Sequence, residues 1–268
     1  MLVALCFGVT AIALLLLAPV ALTTGQWQVR RPKLALAGWF GSFFIGALCA
    51  GAMVVSLVVA AVTTTASTSL TKAVATAVFS WLALAVAGAI IALVFAFTEP
   101  LNASQRATLR KMAPTAVSRE KRDEFTFVRF EVAEPVACAV PGRLPQILVS
   151  TGLEDLLSAP QLQAVLAHEY AHLRHRHGWV VRIAELNALC LPRFFSAGHR
   201  LKQATLLLVE LAADDTAAKQ AGAVNLANAL WHMSQETGDA GMLLRAQRLT
   251  LRRWPLAARC QVPDAIRI

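Results

Sequence analysis

Ser158-Ala159-Pro160-Gln161-Leu162-Gln163-Ala164-Val165-Leu166-Ala167-His168-Glu169-Tyr170-Ala171-His172 decides how the rest of the chain is read. Ser158 can cap a helix, Pro160 is tolerated in its first turn, and Gln161 completes a capping box. Leu162, Val165, Leu166, Ala167 and Leu173 continue an apolar helical pattern, with Gly178 as the expected stop. The pattern predicts one helix of about four turns with the histidines in its second half. Two histidines four apart lie on one face, one turn above each other. Both imidazoles can then reach a single Zn2+ at about 2.0–2.1 Å. Glu169 points to the adjacent side, where it can take a proton from an attacking water.

A tetrahedral catalytic zinc site takes a third protein ligand and keeps one position open. The preferred candidate is Glu210, in Glu210-Leu211-Ala212-Ala213-Asp214. Its side chain shares a helix face with Asp214, which can hydrogen-bond a ligating histidine from behind. Glu185 competes for the ligand role, but position 189 is Leu and offers no carboxylate one turn on. Asp215 replaces Asp214 if the helix is rotated. The expected content is one zinc per chain.

The other polar residues nearby read differently. His175 is on the face of His168 but about 10.5 Å further along the axis, so it is expected to be solvated or lipid-facing. His177 is expected on the opposite face, and Arg174 and Arg176 form a basic rim. Tyr170 reads as packing. His199 and His232 are weaker candidates for stabilising a developing oxyanion and stay outside the proposed site.

An HExxH followed at a distance by ExxAD resembles the integral-membrane gluzincin metallopeptidases. These include the heat-shock HtpX type, the CAAX-prenyl endopeptidases and the BlaR/MecR-type peptidases of bacterial beta-lactam sensing. Gln146-Ile147-Leu148-Val149-Ser150-Thr151-Gly152-Leu153, leading into Ala164–Glu169, is similar to the strand, TGL and helix that precede the metal site in that group. The likeness covers about residues 134–235, and apolar N-terminal segments fit the same group. It implies zinc on His168, His172 and Glu210, with Glu169 as catalytic acid/base. It also implies a membrane-bound endopeptidase that cuts a protein or peptide substrate at a bacterial cell membrane. Two roles follow: cleavage of a cytoplasmic repressor in signalling, or quality control of membrane proteins. BlaR/MecR sensors carry a further span and an extracellular penicillin-binding domain. The sequence stops at Ile268 without either, so direct antibiotic sensing is not expected. The alternative reading is a catalytically inactive metal-binding membrane sensor or scaffold, against which all four key side chains argue.

Composition points the same way. The chain is 57% hydrophobic and 15% charged, outside the soluble norm. Residues 1–22, 34–62 and 74–97 carry no charge and are long enough to cross about 30 Å of hydrocarbon. Three transmembrane helices are therefore expected. A cleaved signal peptide is the alternative for the first, but a basic n-region is missing and the apolar run is long. Gly38, Gly41, Gly46 and Gly51 suit close packing of the second span. Arg30, Arg31 and Lys33 follow the first span, only Lys72 separates the second from the third, and Arg106, Arg110 and Lys111 come after it. This asymmetry puts the N-terminus outside and the catalytic part in the cytoplasm. The net charge of +9 suits a surface near anionic lipid. Basic residues are spread and not interleaved with aromatics, so nucleic acid is not an expected partner. Five dispersed cysteines without a CxxC pair support neither a disulfide framework nor a cysteine metal site.

The fold class expected is a mainly α membrane protein: three N-terminal spans followed by an α+β gluzincin-type domain with a small sheet. The divisions are a membrane domain at 1–98, a basic linker at 99–122, a metallopeptidase domain at 123–236 and a basic C-terminal tail at 237–268. A helix is conceivable from Ser104 to Met112 within the linker. Strands are expected at 125–132, 136–140 and 147–150, with either of the last two able to pair with extended substrate. Residues 179–195 read as an interfacial or packed helix, less readily as a re-entrant segment or fourth span. Helices are expected at 201–221 and 224–236, and a partly disordered tail from Gly238.

Overall fold

Long uncharged runs leave the backbone to satisfy its hydrogen bonds within its own helix, and the helices at 2–23, 32–63 and 73–89 do so. The structure, a computed structural model, describes residues 2–23, 25–63, 70–71, 73–89, 91–92, 116–190, 196–254 and 261–267. The chain divides into two compact units, Met1–Asn102 with Ala184–Leu208, and Ala103–Ile183 with Val209–Ile268.

In the first unit, α1 (Leu2–Thr23) and α3 (Pro32–Thr63) are joined by the single turn α2 (Trp27–Arg30). They run antiparallel. A Cβ on Gly8 would meet Met53 Sδ at 2.8 Å, and one on Gly38 would meet Leu22 Cδ2 at 3.2 Å. Gly41 and Gly51 have nothing within 4 Å at the same position, so only part of the glycine pattern serves this contact. The apolar helix α4 (Ala73–Ala89) follows. Its Ser80 hydroxyl lies 2.9 Å from Leu57 O of α3 and 2.8 Å from Thr76 O of its own helix.

Among the described residues two helices, Leu2–Leu22 and Pro32–Thr63, are long and apolar enough to cross a bilayer. The expectation of three spans is met in part: the described residues of the third form the shorter apolar helix α4. Residue 90 and residues 93–97 of the expected third span lie outside the described residues, as does the conceivable helix at 104–112. In the part of α7 (His177–Cys190) and α8 (Ser196–Ala217) that belongs to this unit, Glu185 pairs with Lys202 at 3.1 Å.

The second unit is built on a four-stranded sheet: β1 (Ala116–Lys121), β2 (Thr126–Phe130), β3 (Ala137–Val140) and β4 (Gln146–Ser150), in the order β1-β2-β4-β3. β1 is antiparallel to β2, β2 parallel to β4, and β4 antiparallel to β3. β1 falls in the stretch read from sequence as linker. Its Ala-Val-Ser-Arg-Glu-Lys is almost wholly exposed, so no apolar alternation marks it, and its charges suit a sheet edge. β4 is one of the two inner strands, with Ile147, Leu148, Val149 and Ser150 all buried.

β4 runs straight into α5 (Thr151–Leu156). Ser150 makes that join. Its hydroxyl accepts from Leu153 N–H, caps α5, accepts from Val136 N–H at 2.9 Å and donates to Glu134 O at 2.7 Å. Gly152 sits where the backbone passes closest to the β2–β3 connection. A Cβ there would lie 1.9 Å from Ala133 O.

α6 (Ala159–Arg174) then crosses the sheet, its Ser158 N–H donating to Gln161 Oε1 at 2.9 Å. Ala164, Val165, Leu166 and Ala167 are buried with Phe125, Ile147, Val149, Leu226 and Leu230. α6 ends at Arg174, short of the expected stop at Gly178. Arg176 takes a φ of +52° and breaks the helix, while Gly178 lies in the first turn of α7. There a Cβ would press on Pro141 Cγ at 3.0 Å, so that glycine serves packing.

A π turn (Ala218–Gly222) links α8 to α9 (Ala223–Thr237), which Gly238 closes with a left-handed φ of +72°. Part of the region expected to be a tail forms regular structure. Asp239 caps α10 (Ala240–Leu251), which buries Ala246 and Leu249. Ile266 is fully buried, and Gln163 Nε2 and Arg122 Nη1 donate to the carbonyls of Ile266 and Ala265.

Gly152→Ala should destabilise the second unit by about 2 kcal/mol or more, because backbone must move to admit a methyl group. Chemical denaturation of the parent and variant in detergent measures it. An unchanged midpoint would show that the strand–helix join is not close-packed.

Candidate metal centre

α6 and α8 each place two side chains on one face by the i, i+4 spacing, and those faces meet. His168 Nε2 lies 3.0 Å from His172 Nε2 and 3.3 Å from Glu210 Oε2, and His172 Nε2 lies 3.5 Å from Glu210 Oε1. Three donors held about 2.05 Å from a tetrahedral ion stand about 3.3 Å apart. The His2Glu set therefore fits zinc in size as well as chemistry, and borderline imidazole donors favour zinc over magnesium or calcium. Among the described residues these three form the one group of this kind.

Asp214 supports the group from behind. It is fully buried, and its Oδ1 is 3.0 Å from His168 Nδ1, within reach but off the straight line a hydrogen bond prefers. Asp215 faces away, where Arg248 and Arg252 hold it at 2.7 and 2.9 Å. Glu185 is engaged by Lys202 and is not part of the metal-sized group.

Two residues of this site were not found by sequence reasoning. Arg245 of α10 donates through Nε and Nη2 to both oxygens of Asp214, at 2.8 and 2.7 Å. Its Nη1 pairs with Glu210 Oε2 at 2.8 Å, and Nη2 is 3.3 Å from His168 Nε2. The signals that could have found it are Gly238 as a helix stop and Asp239 as the next cap, which mark residues 240–251 as helix. The second is His177. It is buried, and its Nδ1 lies 3.2 Å from His172 Nδ1. The expectation that it faces away fails because it was projected along an unbroken helix. The left-handed Arg176 restarts the chain in a new direction. His175 is exposed, as expected, and stacks on His177 with ring centroids 5.6 Å apart.

Electrostatics follow from this packing. Burial alone would lower His168, but Asp214 and Glu210 override it and raise the imidazole to about 9. Burial and the charge of His168 lower His172 to about 4, and burial with His172 lowers His177 to about 3. Burial opposes ionisation of Glu210, yet His168 and Arg245 bring it down to about 2. Arg245 and His168 hold Asp214 well below the usual carboxylate range against the same opposition.

Glu169 is different. Burial pushes its carboxyl up, with the His168 charge and the Ala139 N–H pulling the other way. A carboxyl so placed suits proton transfer. Because Ala139 N–H turns to Glu169 and Val136 O accepts from Ser150 N–H, alternate residues of β3 face away from β4. β4 is paired on both sides, whereas β3, like β1, is an edge strand among the described residues. Tyr170 packs on Phe125 and its hydroxyl donates to Glu124. His199 is engaged with Gln203, and His232 lies against Trp231.

A helix-borne His–Glu–His set, a carboxylate from a second helix and an open sheet edge define the layout of a metal-dependent peptidase. Residues 99–238, just over half of the 268-residue chain, match the model of peptidase family M48. The chain belongs to that family, whose members are metallopeptidases that usually hold zinc. It is also 46% identical over 59 residues to the plastoglobule-localized metallopeptidase 48, chloroplastic, of Arabidopsis thaliana; the stretch is 21% of this chain and 17% of that relative. No solved structure matches.

His177→Ala should weaken metal affinity about 10- to 100-fold by freeing the His172 ring, read by competition with a zinc chelator. Unchanged affinity would reduce His177 to packing. Arg245→Gln should cost about 3 kcal/mol of stability, because Asp214 would be left as a buried charge without its partner. Thermal unfolding of the two chains would show it, and equal transitions would mean that Asp214 is balanced elsewhere.

Proposed function

We propose that the chain is a membrane-bound zinc endopeptidase that hydrolyses peptide bonds of a protein substrate on the cytoplasmic side. The observation that carries this is the set of His168, His172 and Glu210 donors at zinc-sized spacing, with Glu169 beside the free edge of β3. Zn2+ bound there would act as a Lewis acid, activating water and polarising the scissile carbonyl.

The chain's own residues do the rest. β3 aligns an extended substrate backbone by main-chain hydrogen bonds. Glu169 takes a proton from the attacking water and delivers it to the leaving amine nitrogen, so the C–O bond forms as the C–N bond breaks. Asp214 and His177 hold the two imidazoles in orientation, and Arg245 neutralises Asp214 and Glu210 so that both stay ionised.

The N-terminal helices anchor this chemistry to a bilayer. Three spans, with Arg30, Arg31 and Lys33 on the cytoplasmic side, accommodate the charge pattern, and the part beyond residue 98 then lies in the cytoplasm. The likeness to HtpX and to BlaR/MecR-type peptidases supports regulated cleavage of a repressor or turnover of membrane proteins in a bacterial membrane.

Glu169→Gln should retain about one zinc per chain and lose about 10^2- to 10^4-fold in turnover of a protein substrate such as casein. His172→Ala and Glu210→Ala should lose the metal. Metal analysis and cleavage assays on detergent-purified protein test this; retained activity in Glu169→Gln would sink the mechanism, and full zinc in Glu210→Ala would move the third ligand elsewhere.

A further inference from the structure

We infer that a basic cleft past the C-terminal end of β3 is a subsite for an acidic side chain of the substrate, N-terminal to the bond that is cut. It presupposes the peptidase function proposed above. The cleft has a volume of about 320 Å3 and lies between the β3–β4 turn, the last turn of α6 and the first turn of α7. Pro141, Tyr170, Leu173, Arg174, Arg176 and Trp179 are among its walls.

Its position follows from two elements. Leu173 stands four residues after Glu169, on the same face of α6 and about 6 Å along the axis. Pro141 directly continues β3. The cleft therefore prolongs the line on which the free edge of β3 lays out a peptide. A peptide paired antiparallel with β3 carries its N-terminal part toward the end of the strand. At about 3.4 Å per extended residue, about 6 Å corresponds to a side chain about two residues before the cleaved bond.

Its charge follows from the ionised groups of its lining, two arginines against one carboxylate. Glu124 accepts the Tyr170 hydroxyl. Arg174 and Arg176 are exposed; Arg174 also hydrogen-bonds Tyr170, and the two guanidiniums outnumber the single Glu124 carboxylate of the lining. An exposed guanidinium can take a carboxylate through two parallel hydrogen bonds. Trp179, 63% exposed, supplies an apolar wall for the methylenes of Glu or Asp.

Arg176 also holds a left-handed φ of +52°, a conformation non-glycine residues adopt where the surroundings enforce it. The kink has two consequences at once. It turns His177 onto His172 and brings Arg176 to the cleft.

The test uses the full chain, zinc-loaded and in a neutral detergent, as the Glu169→Gln variant, so that binding is read without turnover. Fluorescein-labelled octapeptides carry Glu, Gln or Lys at each of the three positions before a common scissile bond, and binding is followed by fluorescence anisotropy. The expected result is about tenfold tighter binding of Glu over Gln at one of these positions. The Glu-to-Gln ratio should collapse toward unity in Arg174→Gln/Arg176→Gln, with a partial loss in each single variant. No preference for Glu, or a preference that survives both substitutions, would overturn the subsite. So would displacement of the peptide by phosphatidylglycerol in the micelle in an arginine-dependent way, which would put a lipid headgroup in the cleft. The same peptides are then offered to the parent chain. Arginine-dependent binding without any cleavage would refute the peptidase function alone, and cleavage with no Glu preference would refute the subsite alone.

Discussion

The second unit depends on one buried charge balance. Asp214 is fully enclosed, and a lone carboxylate there would be expelled or protonated. Arg245 meets it with two hydrogen bonds and extends a third contact to Glu210. That single guanidinium ties α10 to α8, and through His168 both are tied to α6. Truncating one member of such a network is costly because the others stay buried. The same balance lets two carboxylates and two imidazoles crowd within a few ångströms, as a divalent ion requires.

The scaffold around it is organised to bring α6 against the sheet at a fixed depth. Ser150 caps α5 and fastens the β2–β3 connection in one hydroxyl, and Gly152 lets that connection pass without a side chain between. Alanine-rich α6 and α9 approach closely over Ile147, Val149 and Leu226. With α6 so placed, Glu169 meets the backbone of β3. The metal-sized donor group and the open edge are thus consequences of one packing arrangement. Membership of family M48 agrees with that layout.

Much of this was legible in the chain. The HExxH and ExxAD spacings are statements about a helix of 3.6 residues per turn, and they brought His168, His172, Glu210 and Asp214 to consistent faces before any tertiary contact was known. Strands β2, β3 and β4 were visible as apolar runs cut by Pro135 and by Pro141-Gly142. β1 was not, because an exposed charged edge strand carries no alternation. Residues 240–251 were hidden by their arginines, which read as a solvated tail although Gly238 as a stop and Asp239 as a cap mark the start of a helix.

What the sequence by itself determined was local: which side chains share a face, where uncharged runs demand internal hydrogen bonding, and which residue types suit a divalent ion. These follow from backbone periodicity and composition, which need no partner. The tertiary structure decided what lies across a break or a long separation. Arg245 reaches His168 over 77 positions, His177 turns inward only because Arg176 adopts a left-handed backbone, and β3 rather than β4 is the open edge because β2 occupies the other side of β4. Each of these rests on how elements pack, and no single element's pattern records which neighbour will cover it.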